Sequence, residues 1–425
     1  WRDLQSENIP PIPSEHFNTV TYTGDGGAAR QVTGVGFKPD LVWVKKTNSA
    51  DDNVWFDTTR GVQKELISNS TAAEATKTEA ISSFDADGYT TGPNGAINAN
   101  GSTYVAWCWK ANGGTTSSNT DGTITSTVQA NTKAAFSVVS YTGNAVSGAT
   151  IGHGLGVEPD IVIVKNLNLS TQSWNTYVKN VTTTNAQFLT LNTADANGNT
   201  ANPRFIPGNF SSSVFSVGND NSTNGASGVD TYIAYCFASV AGYSKISSYT
   251  GNGSASAGPI INTGFEPAYV MIKRTDSIDD WIVVDNKRNT TKSRYNYLMP
   301  NSNAVENGSA SGAVNPLVNF LTNGFQIAAT WGAVNNNGSL YVYMAFASDG
   351  STAPTLPDSF ANKLYTGNGG TQAITGLGFS PSFVWLKRRD GTGNHYLNDT
   401  IRGTKSQISS NLTAAETTYS SNITS

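Results

Sequence analysis

The chain has 425 residues and a formal net charge of −4, and only 13% of the residues are charged. That is about half the share usual in a soluble domain, and without a basic face it excludes phosphate-backbone binding, so no nucleic-acid partner is expected. No apolar run approaches the ~18 residues of a membrane-spanning helix, so no membrane insertion is expected either.

Residues 1–17 read as a linker without a signal-peptide pattern. Tyr22-Thr23-Gly24 then opens a pattern that returns at Tyr141-Thr142-Gly143, Tyr249-Thr250-Gly251 and Tyr365-Thr366-Gly367, after 119, 108 and 116 residues. That period is the length of one small β domain. In each copy a turn follows: Gly36-Phe37-Lys38-Pro39, Gly156-Val157-Glu158-Pro159, Gly264-Phe265-Glu266-Pro267 and Gly378-Phe379-Ser380-Pro381. Proline cannot donate to a ladder, so this marks a strand entrance. Next comes a short apolar run ending in lysine: Leu41-Val42-Trp43-Val44-Lys45, Ile161-Val162-Ile163-Val164-Lys165, Tyr269-Val270-Met271-Ile272-Lys273 and Phe383-Val384-Trp385-Leu386-Lys387. Short β-branched and aromatic runs bounded by turn residues predict buried strands.

Residues 71–80, echoed at 413–416, are the one helix-like stretch, read as an exposed turn or two. Three copies end on a shared strand: Tyr104-Val105-Ala106-Trp107-Cys108-Trp109, Tyr232-Ile233-Ala234-Tyr235-Cys236-Phe237 and Tyr341-Val342-Tyr343-Met344-Ala345-Phe346. The pattern predicts an all-β fold, a tandem array of small antiparallel β-sandwich domains of jelly-roll or lectin-like kind. Repeat one spans residues 18–112, repeat two 135–242, repeat three 243–349 and an incomplete repeat four 361–425. A Gly/Ser/Thr-rich connector at 113–134, with a strand near 123–128, and a linker at 350–360 separate them. Domains of this size can hold their own cores, so beads on a string are expected. The short join at 239–244 favours a packed pair of repeats two and three. The chain begins at Trp1, and Ser425 aligns with Ser83 of repeat one at an offset of 342. It is therefore expected to be a piece of a longer protein.

Repetition also sorts candidate sites. Cys108 and Cys236 occupy one slot in different repeats, with Ala345 in the third, so a small buried residue is expected there rather than a disulfide. Phe84-Asp85-Ala86-Asp87-Gly88-Tyr89 suggests a calcium loop through Asp85 and Asp87. Its counterpart Phe320-Leu321-Thr322-Asn323-Gly324-Phe325 keeps the frame without carboxylates, which favours a hairpin turn. His153 among glycines, and the isolated His16 and His395, form no zinc-ligand spacing, and no cofactor is expected. Asp57-Thr58-Thr59-Arg60-Gly61 returns as Asp399-Thr400-Ile401-Arg402-Gly403. Asp–Arg pairs pinning a loop are one reading. The other is a polar rim that, with Trp55 and with Trp43 or Trp385, stacks and hydrogen-bonds a sugar, giving Trp55, Asp57, Arg60, Asp399 and Arg402 as candidate ligand residues. Asp276, Asp279 and Asp280 read as a solvated turn. No facing carboxylate pair or Ser-His-Asp arrangement emerges, so an enzyme is not expected.

Tyr-Thr-Gly-Asn-Gly, Gly-Leu-Gly-Phe-x-Pro-x-x-Val-Trp, Asp-x-x-Arg-Gly, Phe-Asp-x-Asp-Gly-Tyr and Tyr-Val-Ala-Trp-Cys-Trp-Lys together resemble a repeated module of tailed-bacteriophage virion proteins of the marine and cyanophage type. The resemblance covers almost all of residues 18–425. It implies a tail-fibre-like structural protein with lectin-like sandwiches, located at the virion surface. The expected partners are other virion subunits and a host surface glycan, and homo-oligomers are expected. The alternative is a capsid or tail decoration protein, a spacer that binds only other virion subunits.

Overall fold

The computed structural model describes residues 10–225, 228–289, 291–307, 316–348, 361–377, 379–419 and 423. The expected linker at 350–360, residues 1–9 of the one at the start, and Gly378 of the fourth turn lie outside the described residues. The fold is all-β, built from antiparallel sandwiches. In repeat one the strand Phe17–Thr23 pairs with the closing strand Thr103–Trp109, which pairs with Leu41–Lys46, followed by Asn53–Asp57 and Lys64–Ile67. Repeat two keeps this order with Phe136–Thr142, Thr231–Phe237, Ile161–Asn166, Asn175–Val178 and Gln187–Thr190. Repeat three does so with Ser244–Thr250, Leu340–Ala347, Pro267–Arg274 and Ile282–Asp285. The closing strand thus slots between two strands that precede it. Val42, Val162 and Val270 lie opposite Cys108, Cys236 and Ala345, so the three small residues share one buried place.

In repeats one to three a second sheet of shorter strands covers one face of the large sheet. In repeat one it is Arg30–Val32, Gly88–Thr91 and Ile81–Asp85. Alternate strand residues point to opposite faces, so Val42, Val44, Ala106 and Cys108 enter a core private to repeat one. Equivalent cores fill repeats two and three.

The Tyr-Thr-Gly signature ties the first strand to the loop before the closing strand. Tyr22, Tyr141 and Tyr249 donate their hydroxyls to the carbonyls of Ile97, Thr223 and Val334 at 2.8, 2.6 and 2.7 Å. Each ring stacks on the first tyrosine of its closing strand, at centroid distances of 5.1, 5.1 and 5.0 Å. The glycine permits the loop to approach. A Cβ on Gly24 would stand 2.3 Å from the Ala99 carbonyl oxygen, and one on Gly251 2.3 Å from that of Asn336.

Three sequence expectations change. Repeats one to three are not beads, because they form one compact unit around a further core shared by all three large sheets: Trp43, Trp55, Trp107 and Trp109 with Trp174 and Tyr235, and with Tyr269, Trp281 and Phe346. The physical reason lies in the strand pattern: a run apolar on every residue must bury both faces, and the small sheet covers only one. Residues 113–134 hold more than the single strand expected near 123–128; Ser117–Asn119 and Ser126–Asn131 both extend the large sheet of repeat two, so the segment is part of that sheet and not a separating connector. Residues 71–80 form no helix, since Ala75–Thr76 pairs with Lys64–Ile67. Among the described residues the short α-helices are instead Gly95–Asn98 and Gly332–Asn335.

Repeat four belongs to a separate compact unit. Its described strands are Phe383–Lys387, His395–Asp399, Ser406–Ser409 and Thr417–Thr418, in that order in one sheet.

Candidate functional site

Of the polar residues singled out in the sequence, Asp57 and Arg60 lie at a seam between repeats. Asp57, fully buried, ends the strand Asn53–Asp57 and receives Arg60 Nε at 2.5 Å. The same guanidinium donates to the carbonyls of Lys64 and Trp55 and to Glu74. Burial alone would lower the Arg60 pKa, but Asp57, Tyr235 and Glu74 raise it above the ordinary value. Arg288 repeats this with Asp285, Glu306 and the Val283 carbonyl, and Arg402 with Asp399, Glu416 and the Leu397 carbonyl. Repeat two has Val178 where the others have Asp57, Asp285 and Asp399, opposite the first residue of the apolar strand.

Across the seams the contacts run in one rotational sense. Tyr235 of repeat two donates to Asp57 of repeat one at 2.7 Å, and Trp107 of repeat one donates to Asp285 of repeat three at 3.1 Å. At the third seam Met344 of repeat three and Val178 of repeat two line the same small apolar gap. The donor and its acceptor are both present or both replaced.

The strand-ending lysines follow the same cycle. Lys45 Nζ reaches the Asn303 carbonyl of repeat three, Lys165 the Thr71 carbonyl of repeat one, and Lys273 the Ala194 carbonyl of repeat two, at 3.3, 3.1 and 3.0 Å. Each also caps carbonyls of its own repeat. Burial lowers all three pKa values to about 8. Beside them, backbone N–H groups of Glu74, Asn197 and Glu306 donate to the carbonyls of Leu167, Thr275 and Thr47 across the seams. Trp174 and Trp281 add indole bonds to the carbonyls of Ile67 and Thr190, both at 2.9 Å.

Trp55, Asp57 and Arg60 are therefore buried in the junction and present no sugar platform in repeat one, contrary to that expectation. A lone β sheet would have left them at a surface; the neighbouring repeats cover them. Trp43 is buried with them. Asp399 and Arg402 form the same pair in repeat four, where Trp385 is 58% exposed. Asp85 and Asp87 do not form a calcium loop. Asp87 accepts from the amides of Gly34 and Gly36 at 3.0 and 2.6 Å, and Asp85 from the hydroxyls of Ser83 and Thr90. Among the described residues no group of three or more His, Cys, Asp or Glu could hold a metal ion. His153 is buried and locks its glycine turn by accepting from Leu155 N. Asp276 and Asp279 both bind Arg274, and Asp280 accepts from Asn301.

One polar recess escaped the sequence reading. A groove of about 340 Å³ runs along the seam of repeats one and three, lined by Thr21, Tyr22, Thr23, Thr47, Thr103, Tyr104, Lys287, Arg288 and Glu306. No local motif signals it, because its walls come from chain segments some two hundred residues apart.

The family described as a domain of unknown function (DUF7483) matches residues 12–349 and 356–425. The chain belongs to the DUF7483 family. Its first match spans the three fused repeats and its second repeat four, whose residues follow those of repeat one at an offset of 342. No curated protein and no solved structure matches the chain.

Proposed function

We propose that this DUF7483 protein is a non-enzymatic structural element of a phage virion, a tail fibre or related appendage in which one chain supplies a ring of three sandwiches. The observation that carries the reading is the use made of its aromatic and charged residues. Six of the nine tryptophans, Trp43, Trp55, Trp107, Trp109, Trp174 and Trp281, are spent on the junction, and the Asp57–Arg60 and Asp285–Arg288 pairs brace the seams. Such a body is a stiff spacer with a polar, weakly charged exterior, suited to repetition along an appendage. The resemblance of its repeats to phage virion modules is what supports a virion location. Immunogold labelling of particles with antibody raised against the chain tests this. Label along an appendage is expected; label confined to unassembled material overturns it.

A second reading, attachment to a host surface glycan, is favoured by the groove between repeats one and three. Threonine hydroxyls both donate and accept, and Lys287 and Glu306 supply charged donors and acceptors at its rim, a chemistry that suits a hydroxyl-rich ligand. Loss of binding to host cells in Lys287→Ala, with unchanged melting, is the expected result. Binding that ignores this substitution removes the groove from attachment.

A further inference from the structure

Trp331 stands apart from the other described tryptophans of the three fused repeats. They are all buried, whereas Trp331 is 37% exposed. It precedes the short helix Gly332–Asn335, and its carbonyl accepts from Asn335 N at 2.8 Å. Asn94 and Asp220 hold this place in repeats one and two, with the same backbone bond from Asn98 and Asn224. Both side chains cap the turn that follows: Asn94 accepts from Ala96 N and Asp220 from Ser222 N, at 2.9 and 2.8 Å. Asparagine and aspartate are preferred for that role, and Trp331 makes no such bond. The fold favours a small polar residue where repeat three exposes an indole.

The ring of Tyr297 lies 5.2 Å from that of Trp331, tilted by 46°. By strand register Phe188 holds the place of Tyr297 in repeat two. There Arg204 stacks on the ring at 5.1 Å and pairs with Asp220, which closes the corner. In repeat three the charged groups stand beside the rings instead. A Cβ on Gly332 would lie 3.5 Å from Arg274 Nη1 and 3.6 Å from Asp279 Oδ2. Asp280 is near enough to Tyr297 to raise its phenol pKa, after the larger effect of burial.

We propose that this corner binds a neutral hexopyranose of a polysaccharide, with the C–H face of the sugar on Trp331 and its hydroxyls bonded by Arg274, Asp279 and Asp280. An indole offers a large apolar face beside polar groups. A hydroxyl can accept from the guanidinium and donate to a carboxylate, and a few convergent polar groups around an apolar surface are what a small-ligand site needs. Asp276, Asp279 and Asp280 outnumber Arg274 and the buried Lys273 in this corner, so an acidic sugar meets like charge. The guanidinium beside the indole likewise disfavours a cation. The site shares no residue with the lining of the groove between repeats one and three, and it stands whether or not that groove binds a ligand.

The test is affinity electrophoresis of the full chain through gels that hold laminarin, galactomannan or alginate. Retardation by at least one of the two neutral polysaccharides, and none by alginate, is expected. Trp331→Asn should abolish the retardation without lowering the melting temperature, because asparagine restores the cap. Trp331→Tyr should keep part of it, and Lys287→Ala, in the groove, all of it. Retardation by none of the gels, preference for alginate, or retardation unchanged in Trp331→Asn overturns the proposal. A sharp fall in the melting temperature of Trp331→Asn also overturns it, since the indole is then a packing group. Retardation lost in Lys287→Ala overturns it in favour of the groove.

Discussion

The hydroxyl of Tyr235 in repeat two donates to the carboxylate of Asp57 in repeat one across 2.7 Å, with both side chains buried. Asp57 already holds Arg60, so the phenol completes a charged cluster at the seam. Its own pKa is pushed well above the usual value, first by burial and then by Asp57. Tyr235→Phe removes the donor and leaves the aromatic packing. Hydrogen bonds to charged groups contribute about 1.5–3 kcal/mol, so a loss of about 2 kcal/mol is expected in urea unfolding. Asp57→Val should cost about 3–5 kcal/mol, since it strands the buried guanidinium. If the two variants are equally stable, Arg60 does not depend on Asp57.

The lysine clamps are tested by Lys165→Met. The aliphatic stem is retained, but the carbonyls of Thr71, Asn166 and Gln172 lose their donor. An unsatisfied buried acceptor costs about 1–3 kcal/mol, partly offset here because no ammonium need be desolvated. A net loss of about 2 kcal/mol is expected. Hydrogen exchange should quicken on both sides of the seam between repeats one and two; quickening confined to repeat two would show that the clamp does not bridge them.

His16 gives a pH dependence. Its ring lies against Asn131 of the strand Ser126–Asn131 and edge-on to Tyr243. Burial, aided by Lys110 and Lys133, lowers its pKa from 6.5 to about 4. Between those values the unfolded chain binds a proton that the folded chain does not. The stability contribution is therefore whole above about pH 6.5 and is lost as pH falls through about 4. The melting temperature should decline across that window, and His16→Gln should flatten the decline. Parallel curves for the two proteins would remove His16 as the cause.

Cys108 and Cys236 are fully buried, and burial raises both thiol pKa values far above the ordinary range. Neither should react with a thiol reagent in the native protein, and both should react in denaturant. Cys108→Ala should cost about 1 kcal/mol, the scale of one lost buried group. The same slot in repeat three already holds Ala345. Rapid native labelling would contradict the burial.

The sequence by itself determined the repeat, the strand types and the hairpins, because these follow from local pattern: a Gly-x-x-Pro entrance, unbroken apolar runs, and a tyrosine and glycine at fixed offsets. It also limited the cysteines to a packing role and resolved Asp85-Ala86-Asp87-Gly88 as a turn, through comparison between copies. What it could not decide is which surfaces meet. Trp55, Asp57 and Arg60 suit a sugar rim as well as they suit a seam, since stacking and hydrogen bonding serve either partner. Their burial comes from Trp174, Tyr235 and neighbouring side chains more than a hundred residues away. The lysine ending each apolar run was visible as a motif, but in repeats one to three one of its acceptors, the carbonyl of Asn303, Thr71 or Ala194, belongs to another repeat. Only the tertiary structure brings them within reach, because strands apolar on both faces bury the second face only when three sheets close on one another.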